Sequence, residues 1–273
     1  MGRIISIILF LQIYFPVFAQ SNESLQLKLE KTFTETVLDF TIDNLGNSYT
    51  ILKNNQLKKR NKSGDSIGVF NDIKRNGKLH LIDATNPLKL LLYYKDFGNI
   101  IVLDRFLNRR NEINLRQLNI FQANVLCQSY DNNIWIFDEL DNTIKKINDQ
   151  GKIISTSADF RVLFNNPPLP SYIKDVDGFL YLYDAEKGLY VFDYYGALKN
   201  NIQLLHFNNF EVLNKETFVG FKDSVFQVYK SMPFLSKQYK TSINLSSIKK
   251  SQFELDILYI LNNQQQLSVY RIE

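Results

Sequence analysis

The side chains with the most specific chemistry are few: one cysteine, Cys127, and two histidines, His80 and His206, in 273 residues. A Ser-His-Asp hydrolase would have to draw its base from one of those imidazoles, and the chain has no G-x-S-x-G turn to present a nucleophile. Structural zinc needs closely spaced thiolates and imidazoles, which this inventory cannot supply. Cys127 ends the apolar-leaning run Ala123-Asn124-Val125-Leu126 and reads as a buried, inert thiol. His206, in Leu204-Leu205-His206-Phe207, reads as a packed residue. No Gly-rich phosphate loop occurs. Calcium is the remaining catalytic chemistry, and a hard cation asks for about six to eight oxygens. Asp83, Asp96, Asp131, Asp138, Asp175, Asp184 and Asp256 are candidate donors, none distinguished from the rest. Asp43, Asp131 and Asp177 fall in turn phrases, where a side-chain bond to the backbone is their ordinary use. The expectation is no catalytic residue, no cofactor and no metal.

Binding chemistry is better represented, by 21 Phe, 15 Tyr and one Trp. Two groups exceed what a core needs. One is Tyr181, Tyr183, Tyr190, Phe192, Tyr194 and Tyr195. The other is the segment Phe160 to Tyr172, with its proline-dense stretch Phe164-Asn165-Asn166-Pro167-Pro168-Leu169-Pro170-Ser171. Tyrosine buries area while keeping a polar tip, and a loop stiffened by proline loses little entropy on docking. The partner-binding set expected on these grounds is Phe164, Pro167, Pro168, Leu169, Tyr172, Tyr194 and Tyr195.

Those residues must be positioned by strands, because the pattern is alternating apolar and polar residues bounded by Asn, Asp and Gly. One unit runs Phe40-Thr41-Ile42, Asp43-Asn44-Leu45-Gly46, Asn47-Ser48-Tyr49-Thr50-Ile51-Leu52, then Gln56 to Arg60, a Ser63-Gly64 turn and Ile67. The phrase returns at Ser129 to Phe137 with Thr143 to Ile154, and at Ile173 to Tyr183 with Gly188 to Leu198. Weaker copies are Leu90 to Tyr94 with Ile100 to Asp104, Thr217 to Phe221 with Ser224 to Tyr229, and Ile257 to Ile260 with Leu267 to Ile272. Third-strand markers Leu57, Ile101, Ile144, Leu189, Val225 and Leu267 recur roughly every forty residues, the length of one propeller blade.

The reading is an all-β fold: a β-propeller of about six four-stranded blades. A sandwich would not repeat the turn phrase at this period, and a solenoid would need shorter, uniform rungs. The last repeat supplies three strands by Glu273, and Ser24 to Glu30 alternates as an orphan strand, so the N-terminal strand is expected to complete the last blade and close the ring. Helices should be few. Gln56 to Lys59 and Leu115 to Leu118 are too short to count as helical.

Asp43-Asn44-Leu45-Gly46-Asn47-Ser48-Tyr49 with Lys62-Ser63-Gly64-Asp65, and Asp175-Val176-Asp177-Gly178-Phe179-Leu180-Tyr181, resemble the NHL-like six-bladed β-propeller family. The resemblance spans most of the chain and implies the fold rather than an activity, and the second, fifth and sixth repeats depart from it. Within six-bladed propellers, likeness to lactonases would imply a calcium-dependent hydrolase at the central channel. An Asn-, Ile- and Lys-rich chain with a leader ending Phe18-Ala19-Gln20 resembles in style a degenerate periplasmic propeller of Bacteroidota type. That implies an accessory of the type 9 secretion translocon.

Met1 to Arg3 followed by the uncharged Ile4 to Tyr14, Pro16 and Val17-Phe18-Ala19 reads as a cleaved signal peptide over residues 1–19, leaving one propeller domain over 20–273. No cysteine stands near the cut, so a lipid anchor is not expected. The charge of +4, from 32 basic and 28 acidic residues, is interspersed and too mild for nucleic acid. The basic run Lys53 to Lys62 reads as a solvated outer strand and turn. The expected protein is a non-enzymatic periplasmic scaffold, neither inserted in the membrane nor homo-oligomeric, that docks protein partners of the cell envelope in an outer-membrane export assembly. The alternatives are the channel hydrolase and a glycan-binding module that stacks sugars on the same tyrosines.

Overall fold

A computed structural model describes residues 23–273; the leader and its cleavage site lie outside the described residues. The strands form six sheets, one per repeat, arranged as a six-bladed β-propeller. The innermost strands are Val37–Ile42, Leu81–Asn86, Ala123–Gln128, Tyr172–Val176, Asn208–Asn214 and Ile248–Glu254, for blades one to six, each neighbouring the next around the ring. All six third-strand markers lie in the third strands of successive blades. The only helical elements among the described residues are single turns, at Ile73–Asn76, Phe160–Leu163, Leu115–Leu118 and Leu245–Ser247. The Leu115 segment therefore does form a 3-10 turn, capped by the Asn114 side chain, which accepts from the Arg116 and Gln117 N–H groups.

The blade pattern follows from the two-residue period of a strand buried on both faces. In Phe179–Asp184, Leu180 and Leu182 pack toward blade three beside Trp135, Phe137 and Phe160, while Tyr181 and Tyr183 pack toward blade five beside Phe210 and Phe218. A middle strand thus reads as an unbroken apolar run. The core is six such layers, one in each gap between adjacent blades.

Ring closure is as expected for the last blade, with one refinement. Leu27–Thr32 pairs antiparallel with Leu267–Ile272 as the fourth strand of blade six. Glu23–Leu25 instead pairs parallel with Phe234–Thr241, adding a fifth strand to blade five. Gln26 is the step between the two blades, so the N-terminal segment spans the seam rather than joining one sheet.

Two sequence readings are corrected here. The aromatic group at the fourth repeat is mostly core: Tyr181, Tyr183, Tyr190 and Phe192 are buried, as is Phe160, stacked 5.2 Å from Phe192 at an interplanar angle of 3°. Alternate residues of a doubly buried strand need large rings to fill two wedges, and these rings are therefore core rather than excess. In the basic run, Lys59 and Arg60 are buried between blades, where Lys59 donates to the Arg105 carbonyl at 2.8 Å and Arg60 to Thr50 at 3.0 Å and to Glu35. Phe160→Ala is expected to cost about 3–5 kcal/mol, whereas Val162→Ala, two residues on and 83% exposed, should change stability by no more than about 0.5 kcal/mol; urea denaturation of both variants checks the contrast.

Candidate functional site

Antiparallel hairpins put the first and third turns of every blade on one face of the ring, and the second turns and the connectors between blades on the other. This separates the expected partner site. The proline segment is the connector from blade three to blade four, whereas Tyr194 and Tyr195 sit in the third turn of blade four. They lie on opposite faces and cannot form one surface.

Most of the proline loop is also tied down. Phe164 packs edge-on against Phe160 and Tyr190, at 5.4 and 5.1 Å between ring centroids. Pro168 is buried, and the half-buried Pro167 accepts from Lys187 at 2.5 Å. Leu169 is exposed, though its N–H donates to Asp184 at 2.9 Å. Tyr172 lines the central channel and accepts from the Val212 N–H at 3.1 Å. Of the seven expected residues, Leu169 and Tyr195 remain exposed.

Tyr194 is an anchor. Its hydroxyl donates to Asp131 at 2.7 Å, across the gap between blades four and three. Lys146, its side chain 3% exposed, also donates to Asp131, at 2.8 Å, and lies over the Tyr194 and Trp135 rings at 3.6 and 4.5 Å. Burial alone would raise the Asp131 pKa, but hydrogen bonds from Lys146, Tyr194 and Asn133 outweigh it and hold the carboxyl well below the usual range. Tyr130 and Tyr195 both pack against Tyr194, at 5.2 and 5.3 Å between ring centroids, so two exposed rings rest on an anchored one.

An apolar rim that the expected set omits surrounds these tyrosines. The first turns encircle one mouth of the channel, and five of the six blades set an exposed large apolar residue in or beside that turn: Leu45, Leu88, Tyr130, Leu213 and Leu255. Blade four has Asp177-Gly178 there. Phe106, Tyr195 and Met232 add apolar surface from the third turns of blades two, four and five. Leu255 is 87% exposed and has a φ of 55°, a left-handed conformation that the turn phrase normally gives to Asn or Gly. The visible signal was an apolar residue at the tip of an otherwise polar turn, repeated blade after blade. The opposite face also exposes apolar residues, Phe97, Phe121, Leu140, Val162, Leu163 and Leu169, confined to blades two and three and their connectors.

No protein-family model matches the chain, and neither does any curated protein. Solved propellers do. A selenomethionine-substituted virginiamycin B lyase from Staphylococcus aureus is similar at 11% identity and a TM-score of 0.65, covering 92% of this chain and 100% of that one. A streptogramin B lyase gives 12% identity and 0.61, over 87% and 79%. The WD40 domain of Neurospora crassa Pan2 gives 7% and 0.63, over 87% and 89%. At these identities the likeness is one of fold, shared by enzymes and WD40 domains alike.

Of the seven aspartates considered for calcium, only Asp83 and Asp175 line the channel. Among the described residues no three His, Cys, Asp or Glu side chains come together as a metal-binding group. Asp43 accepts from the Leu45 and Asn47 N–H groups at 3.0 and 2.9 Å, as a turn aspartate should. Cys127 is buried, and burial pushes its thiol well up. Both histidines are exposed: His80 lies 3.1 Å from the Asn124 carbonyl, and His206 lies 3.4 Å from Glu186. The packed reading of His206 is thereby corrected; its φ of 62° puts it in a turn, where it packs into no layer.

Lys146→Met leaves Asp131 without its cation and is expected to destabilise the domain by about 3 kcal/mol. Because the Asp131 pKa is lowered on folding, its contribution is full above the ordinary carboxylate range and fades as pH falls through it, below about pH 4. The stability gap between the native chain and Asp131→Asn should therefore narrow on acidification, which urea titrations at successive pH values would measure.

Proposed function

We propose that the protein is a non-enzymatic binding propeller that docks onto a protein subunit of a larger cell-envelope assembly through the face carrying the first and third turns. The observation that carries the reading is Leu255. An exposed leucine in a left-handed turn costs about 1 kcal/mol relative to glycine or asparagine and shields nothing in the isolated domain. Four other blades set an exposed apolar residue in or beside the same turn, and an apolar ring of that kind marks an interaction surface. Tyr130 and Tyr195 serve as its aromatic anchors, positioned by the Asp131, Lys146 and Tyr194 cluster.

The compartment and assembly rest on the N-terminal residues. The leader pattern in residues 1–19 supports export to the periplasm, and the likeness of style to Bacteroidota propellers supports an accessory role in an outer-membrane, type 9-like secretion assembly. Against the calcium hydrolase stands the use made of the channel carboxylates. Asp83 accepts the Gln128 and Thr85 N–H groups, Asp175 accepts Ser129 and Trp135, and Glu211 accepts the Phe253 N–H. These bonds join neighbouring inner strands or tighten their ends, and they support a structural role for the acids.

The test is affinity purification of the mature protein from its own envelope, alongside Leu255→Asn and Leu169→Asn. Leu255→Asn should lose the co-purifying subunit while its melting temperature holds or rises, since asparagine relieves the left-handed strain. Leu169→Asn should retain it. Loss of the subunit with Leu169→Asn alone would move the docking surface to the opposite face and overturn the assignment.

A further inference from the structure

On the face opposite the docking ring, six large apolar side chains share one strip: Phe97, Phe121, Leu140, Val162, Leu163 and Leu169, none less than 46% exposed. They stand on the second turns of blades two and three and on the connectors that follow those blades. The four loops are bonded to one another. Leu115 of the first connector donates to the Gly98 carbonyl at 2.8 Å and Arg116 to the Asp96 carbonyl at 2.7 Å, which ties that connector to the turn of blade two. Glu139 of the blade-three turn donates to the Gln122 carbonyl at 2.9 Å, and Phe160 of the second connector donates to the Asn142 carbonyl at 2.8 Å. The six side chains therefore belong to one braced surface, and an apolar surface of that kind is an interaction site rather than a scatter of single residues.

Whatever covers the strip must receive apolar tips and supply negative charge. Leu140, Val162, Leu163 and Leu169 already spend their N–H groups inside the protein, on the Asp138 side chain, the Asp159 carbonyl and the Asp184 side chain, so they can enter a medium that offers no hydrogen bonds. The charge lies around Phe97. Its ring rests against Gly77, which brings the connector from blade one to blade two beside it. Lys74 and Lys78 of that connector, with Lys95 and Arg116, are exposed and enter no ion pair among the described residues. Nearby acids are largely neutralised, Asp159 by Arg161, Asp141 by Lys145 and Glu112 by Arg75 and Arg109, leaving Asp96 and Glu139 against those four cations. We propose that the strip rests on a lipid bilayer with anionic phosphate headgroups, the six apolar tips entering the interface and Lys74, Lys78, Lys95 and Arg116 meeting the phosphates. Apolar burial combined with a basic rim is how a peripheral protein holds an anionic surface. The long stems of lysine and arginine keep their charge at headgroup level while the tips sit deeper. The bilayer and the docked subunit then lie on opposite faces of the ring.

The test needs only the purified mature protein and lipid, so it is independent of the docked subunit. In flotation, the protein should rise with vesicles of phosphatidylethanolamine and phosphatidylglycerol, and high salt should weaken the binding. Vesicles of phosphatidylcholine alone should bind it about tenfold less well. Val162→Asp, at a fully outward position, should need about tenfold more anionic lipid to reach the same bound fraction. Leu255→Asn, on the other face, should float like the native chain. A second readout is fluorescence: Phe121→Trp should be quenched by lipids with brominated acyl chains, while Trp135, the one native tryptophan, is buried and serves as the unquenched control. Failure to float with the anionic vesicles, equal binding to phosphatidylcholine, native flotation of Val162→Asp, or an unquenched Phe121→Trp would each overturn the assignment.

Discussion

The innermost strand of each blade has a partner on one edge only, and its other edge faces the channel with N–H and C=O groups that no strand covers. The protein meets this constraint with side chains reaching from one blade to the next. Gln252 of blade six both accepts from the Ile42 N–H and donates to the Ile42 carbonyl of blade one, at 2.9 and 2.8 Å. Asn209 and Glu211 of blade five accept the Ser251 and Phe253 N–H groups of blade six. Tyr172 and Lys174 of blade four bracket Val212 of blade five. Asp175 ties blade four to Ser129 and Trp135 of blade three, and Asp83 of blade two accepts the Gln128 N–H of blade three. The polar residues of the inner strands thus form much of a belt that holds the blades in register, and the apolar layers between blades fill the wedges outside it.

That belt makes the rest of the molecule possible. With the inner strands fixed, the hairpin turns are held at set radii on two faces, and a residue type repeated in or beside the first turn becomes a ring. Leu45, Leu88, Tyr130, Leu213 and Leu255 surround one channel mouth for this reason. The seam needs its own device: an N-terminal segment that pairs first with blade five and then with blade six gives both outer strands a shared partner where chain continuity is lacking.

The fold was legible in the sequence because its signals are local: Asx-Gly turns, alternating strands, and third-strand markers such as Leu57 and Leu189 at a steady period. Even the division of the closing strand at Gln26 concerns only where that segment sits between two adjacent sheets. The site was less legible, because exposure depends on which face of a doubly buried strand has a neighbour. Nothing in Phe179-Leu180-Tyr181-Leu182-Tyr183 says that both faces are covered, and so core tyrosines resembled surface ones. Tyr194 and Tyr195 are adjacent in sequence, yet one is an anchor and the other is 78% exposed. The composition of the proline loop marks it as exposed, although Phe164 packs against Phe160 of the preceding helical turn and Tyr190 of a strand in the next blade. Leu255 was visible as a leucine between Glu254 and Asp256, but its left-handed backbone was not.

The most direct test of the central claim, that the face carrying the first turns is the working surface, is site-specific photo-crosslinking in the native envelope. A benzophenone side chain would replace Leu45, Tyr130 or Leu255 on one face and Val162 or Leu169 on the other, with the adducts resolved by mass. The account predicts one discrete protein adduct shared by the first three positions and none from the last two. Adducts arising only from Val162 and Leu169 would contradict it.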